Sequence, residues 1–265
     1  MKKKLLPFAL GFLLAALLLT AAFLILRRVA PQPEPSPEPT IAPATAAPTP
    51  APTPEPTPEP TPEPTPYVSP MDFPALWEQN PHIVAWMEIP GTPVSYPILQ
   101  HPTEDQYYLN RRVDGSEGLP GSLFVYSGGE PFGRFNTIIY GHNMADGSMF
   151  GSLKNYRDLD WLMAHREIRI YTPEATLTYK VFASTSFPDV LINAVYDDTS
   201  LDDRIAYLDK VYNDGMAEKA IPGDVEITTA DRIITLSTCV DSAPEQRRLV
   251  LGLLTAVEPE WYEFD

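Results

Sequence analysis

The sequence predicts a mainly β domain, a barrel or a sandwich, that follows an apolar N-terminal segment and a proline-rich spacer. Three observations lead to this prediction. Short runs of β-branched and aromatic residues alternate with Gly and Pro turns through the last 199 residues. The first 28 residues contain an apolar run long enough to cross a bilayer. Residues 31–66 have Pro at 16 of 36 positions, a composition that does not form a packed core.

The N-terminal segment is predicted to be an uncleaved transmembrane anchor over residues 1–28. Its apolar run, Leu5–Leu26, has 22 residues and as a helix would span about 33 Å, against about 30 Å for a hydrocarbon core. A cleaved signal peptide is the alternative, but its apolar region is about 7–15 residues long and ends at a small-residue site. Here two arginines follow the run. The three lysines and the amino terminus carry more positive charge than these two arginines, which favours an N terminus on the cytoplasmic side of the membrane.

Residues 29–66 are predicted to be an extended linker. The PEPT-type repeat favours polyproline II, which at about 3.1 Å per residue reaches at most roughly 110 Å. Residues 67–265 then suit one domain. Five of the 19 Lys and Arg residues lie in the anchor and five of the 35 Asp and Glu residues in the linker, which leaves this domain with 14 positive and 30 negative residues. Such acidity excludes a basic nucleic-acid footprint.

The elements of the domain follow from residue type and periodicity. Short helices are expected at Phe73–Gln79 and Thr103–Asn110. A longer helix is expected at Ser200–Tyr212, where Leu201, Ile205, Leu208 and Val211 follow a helical period. The predicted strands are Val84–Ile89, Val94–Gln100, Ser122–Tyr126, Asn136–Gly141, Glu167–Tyr171, Leu177–Ser184, Arg232–Cys239 and Arg248–Ala256.

Cys239, the only cysteine, is the candidate nucleophile. A lone cysteine is often a buried small hydrophobe. This one ends a strand, and the chain is predicted to be exported, where unpaired thiols are disfavoured unless they are used. A thiol that carries out acyl transfer needs a proton-transfer partner. His142 ends another apolar strand in a Gly-His-Asn turn and is the candidate.

The two-residue period of a strand predicts which side chains share a face. Cys239 lies with Ser237 and Thr235, whereas Ile234 and Leu236 should point into the core. In the last strand Leu249, Leu251 and Leu253 are taken as the core-facing set. Arg247 shares their parity and is interpreted as a solvent-exposed charge of the preceding loop. Arg248 has the opposite parity and is predicted to face the thiol.

The motifs in order resemble class B sortases of Gram-positive bacteria. They are TLSTC at 235–239 with an arginine nine residues later, NTIIYGHNM at 136–144 and GSMFGSL at 147–153. NPHIVAWMEIPGTPVSYPILQ at 80–100 and the Tyr107-Tyr108-Leu109 segment extend the resemblance over nearly the whole domain. It implies a closed eight-stranded β-barrel, with a helix in the insertion before the strand that bears Cys239. Arg248 matches the Arg-apolar-Val-apolar pattern of the family.

The resemblance also implies an activity, its partners and a location. A membrane-anchored cysteine transpeptidase with an extracellular domain would cut a C-terminal sorting signal after Thr, through a thioester on Cys239. It would pass the acyl group to an amine of a cell-wall precursor or a pilin. Two alternatives stay open: a catalytically idle, wall-tethered peptide-binding module, and a thiol peptidase that releases its product to water. The intact trio of His142, Cys239 and Arg248 argues against the idle module.

Four further residues are candidates for substrate binding or for support of the trio: Tyr140, Asn143, Ser237 and Asp241. Strand packing or turn formation explains each of them as well. No His, Cys, Asp and Glu cluster has metal-ligand spacing, so neither a metal nor another cofactor is expected. The other histidines, His82, His101 and His165, are expected in surface or capping roles.

Overall fold

The computed structural model describes residues 66–213, 219–240 and 243–264. Nine strands occur in these ranges, and the eight predicted ones are all among them. The strands are β1 (Ile83–Glu88), β2 (Ser95–Gln100), β3 (Leu123–Val125), β4 (Asn136–Tyr140), β5 (Glu167–Tyr171), β6 (Thr176–Pro188), β7 (Lys219–Ala220), β8 (Ile233–Val240) and β9 (Ala243–Glu258).

Eight of the strands close into a barrel, as the resemblance to class B sortases implies. They lie in the order β5-β1-β2-β3-β4-β8-β9-β6, and the pairing of β5 with β6 completes the ring. The short β7 pairs with β6 beyond β5, on the edge opposite β9. The pairs β2–β3 and β4–β8 are parallel. Closure leaves no free edge among the eight strands. The parallel β4–β8 pair brings the ends of both strands to the same rim of the barrel.

The helices are short, with one exception. They are α1 (Phe73–Gln79), α2 (Leu159–Ala164), α3 (Ile192–Val195) and α4 (Leu201–Asn213), together with two 3₁₀ segments, Tyr107–Asn110 and Gly151–Arg157. Helix α1 begins where the Asp72 side chain accepts the Ala75 N–H at 3.1 Å, a normal N-cap. The helix predicted over Thr103–Asn110 is only the four-residue 3₁₀ segment.

Two hydrophobic clusters use opposite faces of the strands. The first contains side chains from all eight barrel strands, among them Ile139, Ile234, Leu236 and Val250, and fills the barrel. The second contains outward-facing side chains of β1, β2, β3, β4, β6, β8 and β9 together with side chains of α1 and α4. Ile234 and Leu236 therefore point inward as predicted, but the outer face of β8 is buried as well.

Helix α4 covers the outer face of β8 with only half of its predicted apolar stripe. Leu208 and Val211 are buried, and the Tyr207 hydroxyl lies 2.8 Å from Thr235 Oγ1 of β8. Leu201 and Ile205, which share the predicted helical period, are exposed. The contact face is centred on Tyr207 instead, and the Tyr207 ring packs against Phe187 of β6 and against Tyr196.

Strand β9 begins at Ala243, five residues before Arg248, the predicted start of the strand. Val240 of β8 pairs with Ala243, so the connection expected over Val240–Arg247 reduces to residues 241–242. Arg247 and Arg248 therefore lie within a paired strand, where the partner strand sets the direction of each side chain.

Among the residues that the structure describes, no helix is long and apolar enough to cross a membrane. The predicted anchor and all but the last residue of the predicted linker lie outside the described ranges.

Candidate active site

Cys239 lies at the rim of the barrel, one residue before the end of β8. Its side chain is exposed, whereas the six preceding residues of the strand, Ile233–Thr238, are all buried. The buried residues pack the strand between the two hydrophobic clusters. The thiol is thus presented to solvent from a fixed position, as a nucleophile requires.

The end of β4 lies beside the end of β8, which brings His142 level with Cys239. Tyr140 pairs with Ser237 in the parallel register. Beyond that pair, the Gly141 N–H donates to the Ser237 carbonyl at 3.2 Å and Thr238 Oγ1 donates to the Gly141 carbonyl at 2.8 Å. On the other side of His142, the Asn143 side-chain amide donates to the Cys239 carbonyl at 3.1 Å.

Gly141 allows this close approach of the two strand ends. A Cβ at this position would lie 2.4 Å from Leu123 Cδ2 and 2.8 Å from Phe150 Cδ2. Both neighbours belong to the core, so any larger residue would push the His142 turn away from the barrel. The glycine in the Gly-His-Asn turn is therefore required by packing.

The imidazole of His142 is half-buried and held by a backbone carbonyl. Its Nε2 lies 2.7 Å from the Leu109 oxygen. A carbonyl oxygen only accepts hydrogen bonds, so Nε2 carries a proton, and Nδ1 is the nitrogen left for proton exchange. The His142 carbonyl in turn accepts the Phe150 N–H at 3.0 Å. Sequence reasoning missed Leu109 as a partner, because a backbone acceptor has no side-chain signature.

The prediction that Arg248 shares a face with the thiol is wrong. Strand β9 pairs Arg247 with Cys239 and Arg248 with Thr238, and directly opposed residues point to the same side of a sheet. Leu249 and Leu251 pack in the outer cluster and Val250 inside the barrel. The leucines were assigned to the barrel interior because only one face of the strand was expected to be apolar.

The two arginines have different surroundings. Arg248 is only 3 % exposed, on the inward-facing side at the rim. Arg247 forms an ion pair with Asp189, with Nε to Oδ1 at 2.7 Å, and its side chain remains 23 % exposed. Arg247 thus belongs to the face of Cys239, whereas Arg248 approaches the rim from the inner side.

Tyr140 and Ser237 pair with each other directly beneath the thiol. Both are buried, and neither hydroxyl has a hydrogen-bond partner within the described part of the chain. Tyr140 stacks on Tyr126 at 4.8 Å and on Phe124 at 5.5 Å. Burial raises the pKa of the Tyr140 hydroxyl far above its usual value, and the charge of Arg247 opposes this shift.

Asn143 and Asp241 are the two remaining candidates. The side-chain amide of Asn143 contacts the backbone carbonyl of Cys239. Asp241 lies outside the described residues. No group of three or more His, Cys, Asp and Glu side chains in the described ranges could hold a metal ion.

The other three histidines contact residues other than Cys239 and His142. His101 accepts the Glu104 N–H at 2.9 Å, a capping role as predicted. His165 lies 2.9 Å from the Trp161 carbonyl and stacks on the Trp161 ring at 3.9 Å. His82 is not a plain surface residue, since its Nδ1 lies 2.7 Å from the hydroxyl of Tyr108.

Comparison with known proteins agrees with this geometry. A family model described as the Sortase domain matches residues 87–254. The chain belongs to the sortase family. It is 35% identical to Sortase B of Listeria monocytogenes over 189 residues, which cover 66% of this chain and 70% of that protein.

Solved structures place this sortase with class B. The Staphylococcus aureus sortase B–substrate complex is 30% identical with a TM-score of 0.59, covering 69% of this chain and 84% of that one. Clostridium perfringens sortase B superposes with a TM-score of 0.62 at 21% identity, covering 70% of this chain and 100% of that one, and supports the fold alone. The protein is therefore a class B sortase, a cysteine transpeptidase.

Proposed function

We propose that Cys239, His142 and Arg248 carry out the transpeptidation, with Cys239 as nucleophile and His142 as acid and base. The observation that supports this most directly is the exposed thiol of β8 beside the turn that bears His142. The Cys239 thiolate forms a C–S bond to the substrate carbonyl while the amide C–N bond breaks. Imidazolium of His142 gives its proton to the leaving amine.

The second half of the reaction reverses these proton movements. An incoming amine attacks the thioester, a new C–N bond forms, the C–S bond breaks, and neutral His142 takes the proton that the amine loses. Transfer to an amine rather than to water requires only that the amine reach the thioester first.

Arg248 is proposed to stabilise the oxyanion or to align the peptide. Its support is the match to the family's Arg-apolar-Val-apolar pattern and its burial at the rim, where a fixed guanidinium fork binds a carbonyl or oxyanion strongly. Arg247 is the second candidate, because it pairs with Cys239 across the β8–β9 ladder. Substitution of each arginine separates the two assignments.

The proposed substrate is a surface protein whose C-terminal sorting signal is cut after Thr, and the proposed acceptor is an amine of a cell-wall precursor or a pilin. Similarity to class B sortases supports both. Residues 1–28 are proposed to anchor the enzyme in the membrane, and residues 29–66 to extend the domain toward its substrates outside the cell.

A peptide library tests the proposed function. Threonine-containing peptides are incubated with the full-length protein, with and without hydroxylamine or a peptide amine, and products are read by mass spectrometry. We expect a thioester on Cys239 and aminolysis products that depend on the added amine. Peptide release to water alone, unchanged by amine, would instead identify a thiol peptidase.

A further inference from the structure

The ring of His142 is oriented by a segment that belongs to neither of the strands meeting at the site. Leu109, whose carbonyl accepts the Nε2 proton at 2.7 Å, lies in the 3₁₀ segment Tyr107–Asn110. If that segment shifts, the carbonyl shifts with it, and the ring loses the bond that selects its tautomer. The position of this short segment therefore controls which nitrogen of His142 faces the reactants.

A buried hydroxyl of the 3₁₀ segment joins it to the residues between α1 and β1. Tyr108 is 2 % exposed. Its oxygen accepts an N–H from Asn80 Nδ2 at 2.9 Å and lies 2.7 Å from His82 Nδ1. The same hydroxyl lies 3.3 Å from Asn80 Oδ1, so its proton can go either to that oxygen or to a His82 Nδ1 that carries no proton. Burial, and then the charge of His101, lower the pKa of His82, which favours the neutral imidazole.

Asn80 extends this network in two directions. Its Nδ2 also donates to the Val113 carbonyl at 2.6 Å, and its Oδ1 accepts the His82 N–H at 2.9 Å. The network therefore joins the end of α1, the approach to β1 and the loop that follows the 3₁₀ segment. All three parts converge on the Tyr108 hydroxyl, one residue before the carbonyl that holds His142.

Gly121 packs against the Leu109 carbonyl. A Cβ at Gly121 would lie 2.3 Å from the Leu109 oxygen, closer than any real contact. The next residue, Ser122, donates its N–H to the Tyr108 carbonyl at 3.1 Å. The glycine thus leaves space for the one acceptor that orients the histidine.

We propose that Asn80, His82 and Tyr108 are positioning residues for His142, acting through the Leu109 carbonyl that Gly121 accommodates. The proposal rests on the proposed function only for the role of His142. None of these residues touches the reacting atoms, so their removal should weaken catalysis through the orientation of the ring while leaving peptide binding intact.

Tyr108→Phe tests the hydroxyl, and Tyr107→Phe is its matched control. Tyr107 lies in the same segment, packed on His101 at 4.2 Å and under Arg111 at 4.3 Å, but its hydroxyl makes no hydrogen bond to any described residue. In the full-length protein, Tyr108→Phe should lower kcat by about 10- to 10²-fold, the range for a misplaced catalytic group, with little change in KM. Tyr107→Phe should leave both near wild type.

Histidine ¹⁵N NMR provides a readout that does not depend on turnover. The four histidines can be distinguished by substitution, and His142 should show the Nε2–H tautomer in the wild type and in Tyr107→Phe. In Tyr108→Phe the Nε2–H population should fall. An unchanged His142 tautomer together with an unchanged kcat would overturn the proposal.

A pair of glycine substitutions tests the carbonyl itself and remains informative if Tyr108→Phe fails to fold. Gly121→Ala and Gly115→Ala both place alanine at positive φ, +66° and +81°, but a Cβ at Gly115 has nothing within 4 Å. Backbone strain is therefore similar, and only Gly121→Ala displaces the Leu109 oxygen. We expect loss of the His142 Nε2–H tautomer and of kcat in Gly121→Ala alone.

The outcomes separate this inference from the proposed function. If wild type forms no thioester with any peptide but the His142 tautomer still responds to Tyr108→Phe and Gly121→Ala, the function is wrong and the positioning network stands. If wild type turns over and Gly115→Ala impairs kcat as much as Gly121→Ala does, the network is wrong and the function stands.

Discussion

Cys239 and His142 are the only thiol and the only histidine at the adjoining ends of β4 and β8, within the part of the chain that the structure describes. Cys239→Ala should abolish turnover and thioester formation, because no other soft nucleophile is available in the chain. His142→Ala should lower kcat by about 10²–10⁴-fold, the usual contribution of general acid–base catalysis. Mass spectrometry of the acyl-enzyme and steady-state kinetics measure the two effects. A covalent adduct with Cys239→Ala would refute the assignment.

The arginines require a separate experiment, because family pattern and strand register favour different residues. Arg248→Ala should lower kcat/KM by about 10²–10³-fold, comparable to the loss of one oxyanion donor, and Arg248→Lys should restore little, since an ammonium lacks the planar fork.

Arg247→Ala is the internal control for this prediction. It breaks the ion pair with Asp189 and should change kcat/KM only slightly if Arg248 is the functional arginine. If Arg247→Ala proves the more damaging substitution, the residue opposite Cys239 in the ladder is the functional one, and the chemistry of Cys239 and His142 is unaffected.

At the scale of elements, the insertion between β6 and β8 supports the strand that bears the thiol. Helix α4 buries Leu208 against the second hydrophobic cluster, while Ile205, three residues earlier, is 51 % exposed. The cluster also contains Ile233 and Leu249 from the two strands that end at the site. Packing of α4 is therefore linked to the position of β8.

Truncation of the two helical residues should give very different results. Leu208→Ala should reduce the free energy of unfolding by about 2–5 kcal/mol, the usual cost of a large-to-small core substitution. Ile205→Ala should stay within about 0.5 kcal/mol, as for other surface changes. Urea denaturation of both variants measures the difference, and equal midpoints would mean that α4 does not pack as described.

For the whole molecule, the apolar N-terminal run predicts that the mature protein keeps residues 1–28 and remains with the membrane. Fractionation of cells followed by N-terminal sequencing of the protein checks this. The expected result is an intact N terminus in the membrane fraction that detergent releases and high salt does not, because burial of the run is hydrophobic. A mature chain that starts after residue 28 and accumulates in the medium would show a cleaved signal peptide.

Much of this protein could be read from the sequence because the signals are local. All eight barrel strands follow from β-favouring runs between turns, and the ends of two such runs identify Cys239 and His142 without knowledge of their pairing. The α4 helix follows from a capped periodic segment in the same way. Such features depend on neighbours in the chain, so the printed residues are sufficient.

Only the tertiary structure decided what depends on distant partners. The register of β9 on β8 places Arg247, not Arg248, opposite Cys239. The sequence could not predict this, because both faces of these strands are buried and the alternation of residues does not tell the inner face from the outer one. The acceptor for His142 is the backbone of Leu109, 33 residues away. A carbonyl is identical at every residue, so no pattern of side chains could have revealed it.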